Sequence, residues 1–455
     1  MRCHVALTGV VGLVAMLAGS AFAAVPTAIL QSSGTGSNSF ADGAGTIRFL
    51  SFDRPAKSGT GSKWIMLARN TGANTADAMF ITGSGTSYNL VALEGTTAFE
   101  PGRTFETADR YVDINENGDW VGIGNLVGGA TNDDEVVYAG NFNGSSLSLP
   151  FREGQVIGTG NTLGTSNYGP GILNNGKKSF GYGTTASTND VSYYTEDGGT
   201  VALRNGDFVS GQAFSTLGFG GRNAFQTTSD GSSYVVIGTI GNASGSTILV
   251  KDDAIVLAEG NNFGGKIVAD ILGEQNILQD NGDWLTRVRF TDGTGGAIKN
   301  GNLIAKSGDL VGGTVPGEQW SELPWTATSD STFAMVTGDT AGNIVLGGFT
   351  NYLDTTRNFV WTYNGIEFLR MGDQIDLDGN GTLDDAFIFN SSFSTASPDQ
   401  LGGFLADDGY FYTTVDWQSG SGAVAGNAFI RVAVPTPGAF TLIGLAGLAG
   451  LRRRR

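Results

Sequence analysis

The chain has 455 residues, of which 72 are glycine and only 15% are charged. Its formal net charge of −17 argues against nucleic acid and anionic lipid as partners of the body, because a like-signed field repels both. Cys3 and His4 are the single cysteine and the single histidine. A chain that loses its first residues therefore has no disulfide, no Cys or His nucleophile–base pair and no zinc site of the usual ligand types.

The N-terminus opens with Arg2, followed by an apolar run from Val5 to Leu17. Ala21-Phe22-Ala23 then places small residues at −3 and −1 of a cleavage site. Residues 1–23 read as a secretory signal peptide cut after Ala23. The apolar run is shorter than the roughly 20 residues a membrane span needs. Setting aside Arg2 and the four arginines at 452–455, the rest of the chain carries a net charge of −22.

Residues 24–433 read as one tandem-repeat domain built on two alternating motifs. The first is a turn before an aromatic or apolar strand, as in Asn117-Gly118-Asp119-Trp120 and Asn281-Gly282-Asp283-Trp284. Its turn positions are 62, 118, 176, 231, 282 and 331, followed by 409 after a longer step of 78 residues. The second is an apolar run ending in a glycine turn, as in Val201-Ala202-Leu203-Arg204-Asn205-Gly206-Asp207. Its glycines are Gly95, Gly154, Gly206, Gly260, Gly308 and Gly372. Asn, Asp or Gln follows the glycine in each case except Thr96. Two motifs sharing one phase, with a period near 50 residues, mark a repeat architecture.

Each unit has room for about four short strands joined by Asn-Gly and Asp-Gly turns, which accept positive φ. Runs such as Trp284-Leu285-Thr286-Arg287-Val288-Arg289-Phe290 alternate apolar with polar. The predicted fold is all-β: a β-propeller of about seven blades, with packed β-sandwiches as the alternative. The N-terminal Ile29-Leu30-Gln31-Ser32-Ser33-Gly34 resembles a second motif without a first. The last unit has a first motif at Gly409 without a second. The two halves are expected to complete one composite blade, which removes the open edge strands of the ring.

The strongest local motif is Asp376-Leu377-Asp378-Gly379-Asn380-Gly381-Thr382-Leu383-Asp384-Asp385. Oxygen-bearing side chains at Asp376, Asp378, Asn380, Thr382 and Asp384, with glycine at the sixth place, follow a calcium loop. Asp385 is a further candidate ligand, since Phe387 stands where such a loop has its closing glutamate. Ca²⁺ is the expected cofactor. No catalytic residue is assigned. The acidic runs Asn132-Asp133-Asp134-Glu135 and Asp252-Asp253 read as solvated turns, and neighbours on a strand would point to opposite faces. Gly158-Thr159-Gly160 lacks the strand–helix setting of a phosphate loop. Asn143-Gly144-Ser145 and Asn242-Ala243-Ser244 fit the N-glycosylation pattern but carry no assignment. The aromatic residue in each unit reads as core.

The C-terminus runs Val434-Pro435-Thr436-Pro437-Gly438, then an apolar stretch from Ala439 to Leu451, then four arginines. Residues 434–455 resemble the PEP-CTERM sorting signal of bacterial exported proteins, with Thr436 where that family has glutamate. The alternating repeats over about 28–432 resemble those of bacterial tandem-repeat, propeller-like exported proteins of NxxG and AxxGD type. The resemblance implies export, transient membrane retention, exosortase-type processing machinery at the C-terminus as a partner, and delivery to the cell envelope or extracellular matrix. It implies no enzymatic activity. The expected function is a structural or binding module at the cell surface, contacting polysaccharide or protein. The alternative is a secreted, carboxylate-dependent polysaccharide hydrolase or lyase.

Overall fold

The computed structural model describes residues 25–435 apart from 33–38, 42–45, 54, 71–77, 129–132, 158–160, 165–167, 185–186, 197–199, 216–224, 241–245, 273–276, 314, 323–331, 384–385, 390–401 and 421–423. The signal peptide at 1–23, the tail from Thr436 onward, Ser33-Gly34, Asn132, Gly158–Gly160, Asn242–Ser244 and Asp330-Ser331 lie outside these residues.

All regular elements among the described residues are strands. They form a β-propeller arrangement of antiparallel sheets. Six sheets of four or more strands each come from one stretch of chain, 39–93, 98–152, 168–204, 208–258, 262–306 and 333–370, and a two-stranded sheet pairs Val156–Ile157 with Asn161–Thr162. A further six-stranded sheet is composite. Its outer strand, Thr27–Gln31, comes from the N-terminus and pairs with Val424–Ala433 from the C-terminus, Thr27 opposite Arg431. The expected join is therefore a strand pairing.

Both motifs owe their spacing to turns that need positive φ. In the first, Gly118, Gly176, Gly231, Gly282 and Gly409 have φ between 74° and 88°. Each donates its N–H to the carbonyl three residues back, as Gly118 does to Asn115 at 3.0 Å. In the second, the residue after the glycine closes the outer strand. The carboxylates of Asp207, Asp309 and Asp373 accept the N–H groups of Arg204, Lys306 and Arg370 at 2.8 to 2.9 Å. Side-chain capping of a free backbone donor explains why Asp, Asn or Gln recurs there.

The first-motif turn expected at 331 lies outside the described residues. A turn with the first-motif hydrogen bond stands at Asp339-Thr340-Ala341-Gly342, between Phe333–Gly338 and Ile344–Phe349, with Gly342 at φ 85° and its amide bonded to the Asp339 carbonyl at 3.2 Å. Gly409 follows Gly342 by 67 residues.

One expectation needs correction: the central strands do not alternate between core and solvent. Thr286 and Arg287 are as buried as Leu285 and Val288. Each central strand is covered on both faces. Trp64, Met66 and Ala68 pack with Phe404, Tyr412 and Phe429 of the composite sheet. Ile65 and Leu67 pack with Phe105, Trp120 and Tyr138 of the next. The period of two assigns side chains to one neighbouring sheet or the other. Polar members bond internally: Thr286 donates to the Leu272 carbonyl at 2.9 Å and Arg287 to that of Phe333 at 2.6 Å. The aromatics are core as expected, with Trp64, Trp120 and Trp361 fully buried. Gly83 and Gly140 lie against the Trp64 and Trp120 rings, where a Cβ would come within 2.6 Å of ring carbon.

Candidate functional site

The first-motif turns meet at one end of the propeller axis and bond to one another in sequence. Thr60 donates its amide to Glu116 Oε1 at 2.6 Å. The Glu116 amide donates to Asn174 Oδ1 at 3.1 Å. The Asn174 amide donates to the Ser229 carbonyl at 2.7 Å. Ser229 donates its amide to Asp280 Oδ1 at 2.8 Å. Asn281 Nδ2 donates to the Thr340 carbonyl at 3.0 Å. The Thr340 amide donates to Asp407 Oδ1 at 3.0 Å. The Asp407 amide returns to the Thr60 carbonyl at 2.8 Å, closing the ring. In four of these links a side-chain oxygen, of Glu116, Asn174, Asp280 or Asp407, caps a backbone N–H of the preceding turn. Burial alone would raise the Glu116 carboxyl, but the Thr60 amide and Ser62 hydroxyl outweigh it and hold it below the usual range.

A cavity of about 70 Å³ lies inside this ring end, walled by the last residues of several innermost strands. About 10–15 Å³ suffices for one water, so it holds a few waters and not a sugar ring. Gly59 narrows it: a Cβ there would collide with Asp280 Oδ2 and Ser229 Oγ. Two ionisable groups face one another's surroundings here. Lys57 is buried and donates Nζ to the carbonyls of Gly338 at 2.8 Å and Leu405 at 2.9 Å. Burial pushes its pKa down to about 8 against the opposing pull of Asp407, Asp339, Asp280 and Glu116. Asp113 is half-buried, its open side toward the cavity. Its Oδ2 accepts the Ile172 amide at 2.8 Å. Burial, aided by the like charge of Asp280, raises its pKa to about 7 despite the backbone donors.

The predicted metal ligands sit elsewhere. The loop joins Gln374–Ile375 to Ala386–Phe389 in the composite sheet. Asp376 is buried and its carboxylate gathers the amides of Gly379 at 2.7 Å, Asn380 at 3.1 Å and Gly381 at 2.9 Å. Asp378 caps Asn380, and Asn380 caps Thr382. Asp384 and Asp385 lie outside the described residues. Among the described residues, no three His, Cys, Asp or Glu side chains converge closely enough to hold a metal ion. The loop also grips the N-terminal strand: the Ala28 amide donates to the Asp376 carbonyl at 2.9 Å, and the Asp376 amide to that of Pro26 at 3.0 Å.

The two acidic runs are partnered turns. Asp133 forms an ion pair with Arg103 at 3.1 Å. Asp252 and Asp253 both take positive φ in a hairpin, and Asp252 pairs with Lys251 at 2.6 Å. Sequence reading missed Lys57 and Asp113, which belong to no motif and come to one cavity only through the closing of the ring. It also missed a buried ion cluster. Arg370 clasps Glu318 with two bonds of 2.6 and 3.1 Å and Glu367 with two of 2.7 Å, all three side chains being nearly inaccessible. Both carboxylates overcome the effect of burial and keep the guanidinium firmly protonated.

No protein-family profile and no curated protein matches the chain. Among solved structures, it is similar to the polysaccharide lyase Uly1 at 9% identity, covering 90% of this chain and 99% of that one, with a TM-score of 0.39. It is similar to a Trypanosoma rangeli sialidase at 9% identity, covering 93% and 60%, with a TM-score of 0.35. It is also similar to a protein of unknown function from Dyadobacter fermentans at 9% identity, covering 85% and 95%, with a TM-score of 0.31. At such scores the propeller assignment rests on the sheet topology.

Proposed function

We propose that this chain is an exported propeller of seven blades that binds extracellular polysaccharide through its ring end and is held at the cell envelope by residues 434–455. The blade count follows if the composite sheet is a full blade, and the seven linked turns support it. Export and retention rest on the two terminal segments. The binding role rests on one observation: the ring end carries a circle of exposed amides and carboxylates, among them Asn117, Asn174, Asp280, Asn281 and Asp407. Such groups match the hydroxyls of a sugar chain, and the cavity behind them is too small for a sugar ring to react inside it. The loop at 376–385 is a proposed calcium site, supported by its oxygen spacing and by its hold on the N-terminal strand.

The second reading is a polysaccharide hydrolase or lyase. Asp113 favours it, since a carboxyl that keeps its proton near neutral pH is a candidate general acid. A glycan array beside a product-release assay separates the two. Binding without product, weakened by Asn117→Ala or Asn281→Ala, supports the module. Product release lost in Asp113→Asn supports the enzyme and removes the first reading.

A further inference from the structure

The charges at the ring end point to a narrower ligand class, an inference that rests on the polysaccharide reading above. The body carries −22, so a polymer of uronic or sialic acids meets repulsion before contact. Four carboxylates, Glu116, Asp280, Asp339 and Asp407, stand around the axial mouth near Lys57, while Lys299 in the ring turns is already paired with Asp283. Lys57 is committed too. Its ammonium bonds to carbonyls of the 333–370 sheet and the composite sheet, and neither carbonyl belongs to the cavity wall. The cavity wall holds Asp113 on the other side. Among the described residues no basic side chain forms an ion pair with it, and the charge acting on it is another carboxylate, Asp280.

A half-buried carboxylate with no ion-pair partner among the described residues, in a cavity large enough for a few waters, suits an ammonium group that replaces those waters. The cavity admits such a group while the sugar ring bearing it stays outside, among the amides of the ring end. Carbonyls and hydroxyls nearby, such as the Thr227 hydroxyl in the cavity wall, accept the remaining ammonium protons.

We infer that the axial cavity is a subsite for the free amine of an amino sugar, and that the polymer bound is a cationic, de-N-acetylated polysaccharide. The probe is a β-1,4-linked glucosamine hexamer, titrated calorimetrically at neutral pH beside its N-acetylated counterpart and a uronic acid oligomer of equal length. The expected result is at least about tenfold tighter binding of the free amine form than of the N-acetylated one, in line with the loss on truncating a buried charge pair. Asp113→Asn, a near-isosteric change, is expected to abolish that preference with no fall in melting temperature. Asp280→Asn serves as a second variant and is expected to weaken the preference. Equal binding of amine and N-acetyl forms overturns the inference and leaves the polysaccharide reading intact. So does an amine preference that persists in Asp113→Asn, which would place the amine on the general acidic surface. Failure of all three oligomers to bind removes both readings.

Discussion

Lys57 Nζ donates to the carbonyl oxygen of Leu405 at 2.9 Å, across a sequence separation of 348 residues. With its second bond, to Gly338, it ties the first sheet to the two that meet it from the C-terminal side. One ammonium thus fastens the seam where the ring closes.

Lys57→Met is expected to destabilise the fold by about 1–3 kcal/mol. Each orphaned carbonyl costs about that much, and relief from burying a charge offsets part of the total. Burial lowers the folded pKa from 10.5 to about 8, so the folded state holds fewer protons in that window. The wild type should gain stability as pH climbs from about 8 towards 10.5, and the variant should not. Urea titrations at several pH values measure both effects.

Asp113 has the opposite sign. Its raised folded pKa gives a stabilising contribution that is full below its ordinary value of 3.8 and lost as pH rises through about 7. The swing is at most on the order of 4 kcal/mol, since cavity water screens the charge. Asp113→Asn should flatten this dependence and melt above the wild type at pH values over 7. A variant curve parallel to the wild type would place the titrating group elsewhere.

Arg370→Leu strands Glu318 and Glu367 as buried carboxylates and should cost about 3–5 kcal/mol. The triple replacement of Arg370, Glu318 and Glu367 by apolar residues of similar volume should recover most of that loss. Chemical denaturation of both variants checks the pair of outcomes. Equal losses in the two would mean that packing, not charge, governs the cluster.

Millimolar calcium should stabilise the wild type by about 0.4 to 1.4 kcal/mol if the loop has the weak affinity of extracellular sites. Asp378→Ala is the variant to compare. Asp376 already serves three backbone amides, so its loss would break the turn with or without metal. Melting curves in calcium and in an ionic-strength-matched monovalent salt decide it, and equal shifts in both proteins would exclude the loop.

The repeat was legible in the sequence because positive-φ glycines and their capping neighbours are fixed by local geometry. Gly206-Asp207 and Gly372-Asp373 announce themselves wherever they occur. A third kind of turn was not read from the sequence: Asn300-Gly301 and Asn364-Gly365 take positive φ at both residues, as a tight hairpin requires. Nor was the turn at 339–342, since Thr340-Ala341-Gly342 lacks the Asn-Gly or Asp-Gly pair. The axial site was not legible at all. Lys57 and Asp113 lie on strands of two different sheets and Asp280 in a turn of a third, and nothing local marks one residue of an inner strand as facing the axis.

The Val434 amide bonds to the Gly409 carbonyl at 2.9 Å, so the chain leaves the last strand beside a ring turn. Thr27 stands opposite Arg431, two residues before the end of that strand. The first and last described strands thus lie side by side in the composite sheet. If residues 434–455 hold the chain at a surface as proposed, its axial mouth would be turned down to that surface and its second-motif turns outward. Its partner would then be the coat of its own cell, and a neighbouring cell would meet only its back.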